Sequence, residues 1–174
     1  RIAEWPPEGG FSSVCESLSL NEHAELQQKS VALLRAIGWE GVAMVEYRLD
    51  PQTGKAVLME INGRFWGSFP LAVQCGAGFA LLAYLVNGLG RTAALGEVRT
   101  GLRCRMMATE IKRLIRILLE PQKISDPFFE PAPGKELQRF WKDFFRSGVG
   151  YYVWARDDPA PFWADLTNMV LRRA

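Results

Sequence analysis

The chain has a single imidazole, His23, and only three cysteines among 174 residues. That shortage excludes a good deal of chemistry. A zinc centre built on two or three histidines is ruled out, and any Ser-His-Asp or Cys-His device would have to route through His23. Cys15, Cys75 and Cys104 are widely spaced in the sequence, odd in number and without a C-x-x-C pair. They suit reduced thiols in a cytoplasmic protein better than a disulfide framework. No sign of charge dominates: 21 Lys and Arg against 19 Asp and Glu leave a formal +2, so neither nucleic acid nor an anionic membrane is expected as a partner. A charge-free run does extend from Phe65 to Gly90, but Gln74, Gly76, Gly78 and Asn87-Gly88 break it. It reads as two short helices rather than a membrane span. The chain opens at Arg1, with no charged region leading into an apolar one, and reads as lacking a signal peptide and as cut from something longer.

What is present points to local structure. Phe11 to Leu18 has the pattern of a short strand. Ser19-Leu20-Asn21-Glu22 has the form of a capping box, and Leu20, Ala24, Leu26, Val31, Leu34 and Ile37 then recur at helical spacing until Gly38. The next two runs, Gly41–Leu49 and Ala56–Asn62, flank the turn Asp50-Pro-Gln-Thr-Gly-Lys55, which predicts a hairpin. Ser68 is placed to cap a helix with Pro70 in its first turn, and a second short helix covers Phe79 to Asn87. Arg99 to Met107 is expected as a strand and Ala108 to Leu119 as an amphipathic helix ended by Pro121. Beyond Lys123 the composition turns to proline-punctuated aromatic pieces, expected to pack on the body through Phe140, Trp141, Phe144, Phe145, Tyr151, Trp154 and Trp163. The fold class predicted is α+β: an antiparallel sheet with helices on one side over residues 1–107 and an α-rich extension over residues 108–174.

The hairpin carries the chemistry. An antiparallel register in which paired residue numbers sum to about 106 places Glu46 opposite Glu60, with side chains on one face. Asn62 points the same way as Glu60, because strand side chains alternate. Two carboxylates side by side raise each other's pKa unless a cation lies between them, so a buried pair of this kind suits a metal. Oxygen ligation with few protein groups favours Mg²⁺, completed by waters and phosphate oxygens. Arg64 and the helix start at Ser68 would face the same phosphates.

Gly41-Val-Ala-Met-Val-Glu46, followed after the hairpin by Met59-Glu60-Ile61-Asn62-Gly63-Arg64-Phe-Trp-Gly-Ser68 and a Gly76-containing helix, resembles the C-terminal half of ATP-grasp enzymes of the carboxylate-amine ligase type. The similarity spans roughly residues 1 to 90 and extends more widely to biotin carboxylase and the carbamoyl phosphate synthase large subunit. It implies ATP and two Mg²⁺ ions, or Mn²⁺ in their place, with Glu46, Glu60 and Asn62 as metal ligands. It further implies that Arg64 supports the transferred phosphoryl group. Small-molecule carboxylate and amine substrates, an acyl phosphate intermediate and an amide product follow from the same resemblance. So does an N-terminal ATP-grasp half that this chain lacks, and a homodimer is left open. Many members have Pro where Gly63 stands, which loosens the placement of Arg64.

Plainer alternatives stand beside these. Glu46 and Glu60 would otherwise be solvated hairpin charges, Arg64 a surface cation and Ser68, a candidate phosphate contact, a simple helix cap. Gly9 and Gly10 read as a turn, His23 as a solvated helix residue, and Arg103, Arg105, Lys112, Arg113 and Arg116 as a wet basic face. The alternative to a ligase is a non-catalytic fragment, or a regulatory or scaffolding domain that retains the fold.

Overall fold

The structure, a computed structural model, describes residues 1–19, 21–50, 52–127 and 129–171. Strand β1 (Ala3–Trp5) pairs antiparallel with β2 (Phe11–Glu16), and β2 with β5 (Arg103–Arg105). A further strand, β6 (Val149–Tyr151), lies parallel to β5, giving a four-stranded sheet in the order β1-β2-β5-β6. Strands β3 (Met44–Leu49) and β4 (Ala56–Asn62) form a separate two-stranded hairpin. The helices are α1 (Ala24–Ala36), α2 (Phe69–Gln74), α3 (Phe79–Ala83), α4 (Met107–Leu119), α5 (Pro133–Phe145) and α6 (Ala160–Leu171). The fold is thus α+β, with helices against a mixed sheet. The parallel β5–β6 pair exists because α4 and α5 form the crossover that parallel neighbours require. A strand of Val-Gly-Tyr beyond residue 107 is too short to show a period, so no local pattern marks the later residues as completing the sheet.

Helix α4 packs on β1 and β2, with α5 and α6 against it. The core cluster of Met107, Leu114 and Phe140 gathers Ile111, Tyr151, Phe162 and Leu166 around it. Helical spacing decides which aromatics of α5 join. Phe140 is buried, and Phe144, one turn on and partly in solvent, meets it edge-on at 5.3 Å. Trp141 and Phe145 are each rotated about 100° onward and lie mostly in solvent, as does Trp163 on α6, so these three do not anchor the extension.

Several local expectations shift. The capping-box residues form a turn ahead of α1 instead: Ser19 accepts hydrogen bonds from the backbone of Asn21 and Glu22, and the helix starts at Ala24 with no side-chain cap. Leu20, part of that pattern, and Pro51 in the hairpin turn lie outside the described residues. The other end of α1 is as expected. Gly38 adopts φ +63°, its N–H bonds Arg35 O, and Trp39 N–H bonds Leu34 O, a Schellman closure. None of the residues of α1 is buried, so its apolar stripe is only partly covered. The strand expected over Arg99–Met107 is confined to Arg103–Arg105, and the second short helix runs on from Ala83 as a π-helical turn to Gly88. No helix among the described residues is long and apolar enough to cross a membrane.

The expected wet basic face is the largest reversal. Arg105 is fully buried, Arg113 is 6% exposed, and both the Arg103 and Arg105 side chains are committed to carboxylates. Arg113 lies three residues after Glu110 and four before Ile117, on the same stripe of α4 as those buried residues, a periodicity visible in the sequence.

Candidate functional site

Hairpin β3–β4 is closed by its turn chemistry. Asp50 accepts from Gln52 N–H at 2.9 Å and from Thr53 Oγ1 at 2.6 Å, its backbone meets that of Lys55 at 2.8 Å, and Gly54 takes φ +70°. Near the turn the partners are Leu49↔Ala56, Arg48↔Val57 and Tyr47↔Leu58. The register then slips by one between Glu46 and Tyr47, so that Glu46 lies opposite Glu60, Val45 opposite Ile61 and Met44 opposite Asn62. The β-bulge absorbs Met59. Without it Glu46 would face Met59, and no carboxylate pair would form.

The pair is not buried as the metal argument supposed. Glu60 is exposed and the Glu46 side chain is 24% exposed, because the hairpin stands apart from the four-stranded sheet. Each carboxylate has found its own neighbour. Arg1 Nη2 lies 2.5 Å from Glu46 Oε1 while its Nη1 reaches Glu4 Oε1 at 3.2 Å, and Asn62 Nδ2 donates to Glu60 Oε1 at 2.5 Å. A cation therefore already neutralises Glu46, and the Asn62 amide presents its NH₂ group to Glu60. Arg1 was not foreseen as a contributor, since no pattern links it to residue 46.

Arg64 is exposed and donates to Phe65 O at 3.1 Å, not towards the carboxylates. Ser68 occupies the position before α2, with Pro70 in the first turn as expected, but its hydroxyl makes no capping bond. Beneath this loop Trp66 meets Phe69 and Phe79 edge-on, each at 5.5 Å. Gly63 fits against the Trp39 indole so closely that a Cβ there would run into Cζ2 and Cη2. That contact, which only the fold reveals, leaves no room for a side chain at residue 63. Gln74, which breaks the apolar run, anchors α2 to the sheet by donating to Tyr151 O at 2.8 Å.

Among the described residues, no group of three or more His, Cys, Asp and Glu side chains is gathered for a metal. The donor set on the hairpin is two carboxylates and one amide, a set that suits a hard cation sharing its shell with other oxygens.

An α+β body carrying a hairpin with two opposed carboxylates defines the class of domain. The comparisons make the class particular. Residues 14–96 match the family model described as carbamoyl-phosphate synthase L chain, ATP binding domain. The chain is 42% identical over 55 residues to the D-alanine–D-alanine ligase of Bartonella tribocorum, which covers 31% of this chain and 18% of that protein. It is 41% identical over 58 residues to the carbamoyl phosphate synthase large chain of Xylella fastidiosa, covering 33% of this chain and 5% of that protein. Residues 14–96, just under half of the chain, thus match an ATP-binding domain of ATP-grasp type. The chain spans less than a fifth of the length of the relatives it matches. No solved structure matches it.

Proposed function

We propose that this chain is the C-terminal part of an ATP-grasp ligase that joins a small-molecule carboxylate to an amine through an acyl phosphate. One observation carries the reading: Glu46 opposite Glu60, with Asn62 on the same side of β4, inside the segment that matches the ATP-binding domain. In this reading residues 1–107 form the C-terminal ATP-grasp subdomain and residues 108–174 an extension. An N-terminal half would supply the rest of the nucleotide clamp, and the setting is cytoplasmic, in keeping with the three free thiols.

The residues fit Mg²⁺ bound with ATP. Glu46 already attracts a cation, in the form of Arg1, and Glu60 and Asn62 add two oxygen-bearing side chains beside it. Two rearrangements make the set available. Asn62 turns its amide so that Oδ1 replaces Nδ2, and Arg1 gives up Glu46. The bound ions, two Mg²⁺ or Mn²⁺ in their place, would neutralise the phosphate oxygens during transfer. Phosphoryl transfer asks the protein mainly for positioning and charge stabilisation, which needs no histidine. Arg64 supplies a mobile guanidinium once it leaves Phe65 O, and the Ser68 hydroxyl, unspent on its helix, is a further donor towards phosphate.

The test is calorimetric titration of Mg-ATP into the chain and into its Glu60→Gln variant, followed by assay of ADP release from a longer chain with an N-terminal ATP-grasp half, across a panel of carboxylic acids and amines. The chain alone is expected to bind weakly without turnover, and the longer one to turn over and lose activity on Glu60→Gln. ATP hydrolysis by the chain alone, undiminished by that substitution, would refute the assignment.

A further inference from the structure

A second set of unsatisfied charged groups lies away from the carboxylate pair. Strand β1 and the loop after it, the outer end of β3, helix α4, Asp126 and Phe129 border a cleft of about 270 Å³. Its walls include Ile2, Pro7 and Phe129, and its charged groups include Arg48, Arg113 and Glu8. That volume falls just below the range of about 300–1,000 Å³ typical of drug-sized ligands, so an occupant is small.

Charge accounting identifies what it would be. Arg1 and Glu4, also at the cleft, are spent on each other and Arg1 on Glu46 as well, while Asp126 has an interaction of its own. Arg113 is nine-tenths buried and donates Nη1 to Glu4 O at 3.0 Å and Nη2 to Glu136 Oε1 at 2.9 Å, with its guanidinium 5.5 Å from the Phe129 ring centroid. Its Nε has no partner among the described residues. Arg48 is exposed and makes no ion pair among them. Among the described residues Glu8 Oε2 is buried without a partner, and Glu8 Oε1 has a 3.5 Å contact from Ser125 Oγ. Buried donors and acceptors left unsatisfied each cost about 1–3 kcal/mol, so the appearance of both kinds around one cleft calls for a ligand of both signs. A simple anion would answer the arginines but sit against Glu4, Glu8 and Asp126, and a simple cation would do the reverse.

We propose that this cleft binds a small zwitterion bearing one carboxylate and one ammonium, of the size of a free amino acid. The carboxylate takes Arg48 and, once the side chains covering it part, the Arg113 Nε; the ammonium takes Glu8, and the apolar part rests on Pro7, Ile2 and Phe129. The site is built largely from β1, α4, Asp126 and Phe129, outside the ATP-binding match, and stands whether or not the hairpin binds nucleotide.

The experiment is an NMR amide titration of the chain without nucleotide or metal, using alanine and leucine as zwitterions, and acetate and propylamine as single-charge probes. The zwitterions should shift residues 2–8 and 126–130 saturably, with the single-charge probes at least tenfold weaker, equivalent to about 1.4 kcal/mol. Arg48→Gln, at an exposed position, and Glu8→Gln should each weaken alanine binding tenfold or more, and Arg48→Lys should recover part of it. Absence of a saturable shift, acetate binding as tightly as alanine, or full binding by Arg48→Gln would each overturn the proposal.

Discussion

Replacing Arg105 by methionine tests how the body is held together, because that guanidinium touches three other elements at once. It is fully buried, its Nε lies 2.7 Å from Glu110 Oε2 on α4, and Nη2 donates to Phe140 O on α5. Its Cζ stands 4.9 Å from the Phe140 ring centroid, 4.5 Å from that of Phe144 and 5.9 Å from that of Tyr151 on β6. Burial pushes the Glu110 carboxyl above its ordinary range, and Arg105 is the main group pulling it back. In Arg105→Met that counterweight goes, and Glu110 is driven to protonate. Holding a carboxyl of ordinary pKa about 4.3 protonated at pH 7 costs 1.36 kcal/mol for each of about 2.7 pH units, a ceiling of about 3.7 kcal/mol. Loss of the aromatic contacts adds about 0.5–2 kcal/mol. A loss of 3–5 kcal/mol is therefore expected at pH 7, or a Tm lower by about 6–20 °C at 2–4 °C per kcal/mol. The sign with pH is distinctive. A raised carboxyl stabilises the fold below its unfolded pKa and loses that contribution as pH rises through the folded value, so the deficit should shrink from pH 7 to pH 5. Urea unfolding at both values measures this. Adding Glu110→Gln removes the ionisable group and should recover most of the pH 7 deficit. A deficit that is the same at both pH values and untouched by Glu110→Gln would refute the reasoning.

Three further outcomes are expected. Burial raises Glu16, but hydrogen bonds and charge from Arg103 and Arg146 outweigh it and hold its carboxyl below the usual range. Its contribution, about 1–3 kcal/mol for charge-assisted hydrogen bonds, is present above about pH 4.3 and lost as pH falls through the lower folded value. Glu16→Gln should flatten that part of the acid limb in urea midpoints between pH 3 and 7, and an unchanged limb would count against it. Burial pushes the Cys104 thiol up to about 12 and raises Cys15, whose Sγ lies 2.8 Å from the Tyr152 hydroxyl. Labelling of these thiols by a disulfide reagent at pH 8 should follow the unfolding rate, and prompt labelling of the native protein would contradict the packing. Gly63→Ala should eject the Trp39 indole, red-shifting its fluorescence and lowering Tm, whereas unchanged emission would show that Trp39 does not rest on Gly63.

How far the sequence reaches is clear from the hairpin. Alternating residues around a turn rich in Asp and Gly name both strands, because those preferences act over neighbouring residues. The carboxylate pairing was legible too, although the uniform register behind it was not what produced it. Near the turn paired numbers sum to 105, and the bulge at Met59 restores 106 at Glu46 and Glu60. Bulges depend on strain shared between two strands, which no single run of residues displays. The depth of the pair, the turn of Arg64 to Phe65 O and the arrival of Arg1 at Glu46 were likewise out of reach, since each depends on where distant elements come to rest.

By itself, then, the sequence determined the hairpin, the Gly38 close of α1 and the span of α4, all set by neighbour-range sterics, periodicity and spacing. The tertiary structure alone decided that β6 completes the sheet, that Arg105 and Arg113 go inside, and that Trp141 and Phe145 stay out. The physical reason is competition for a limited interior. A charged or aromatic side chain is buried only where partners from other elements meet it, and those meetings are fixed by the packing of the whole chain.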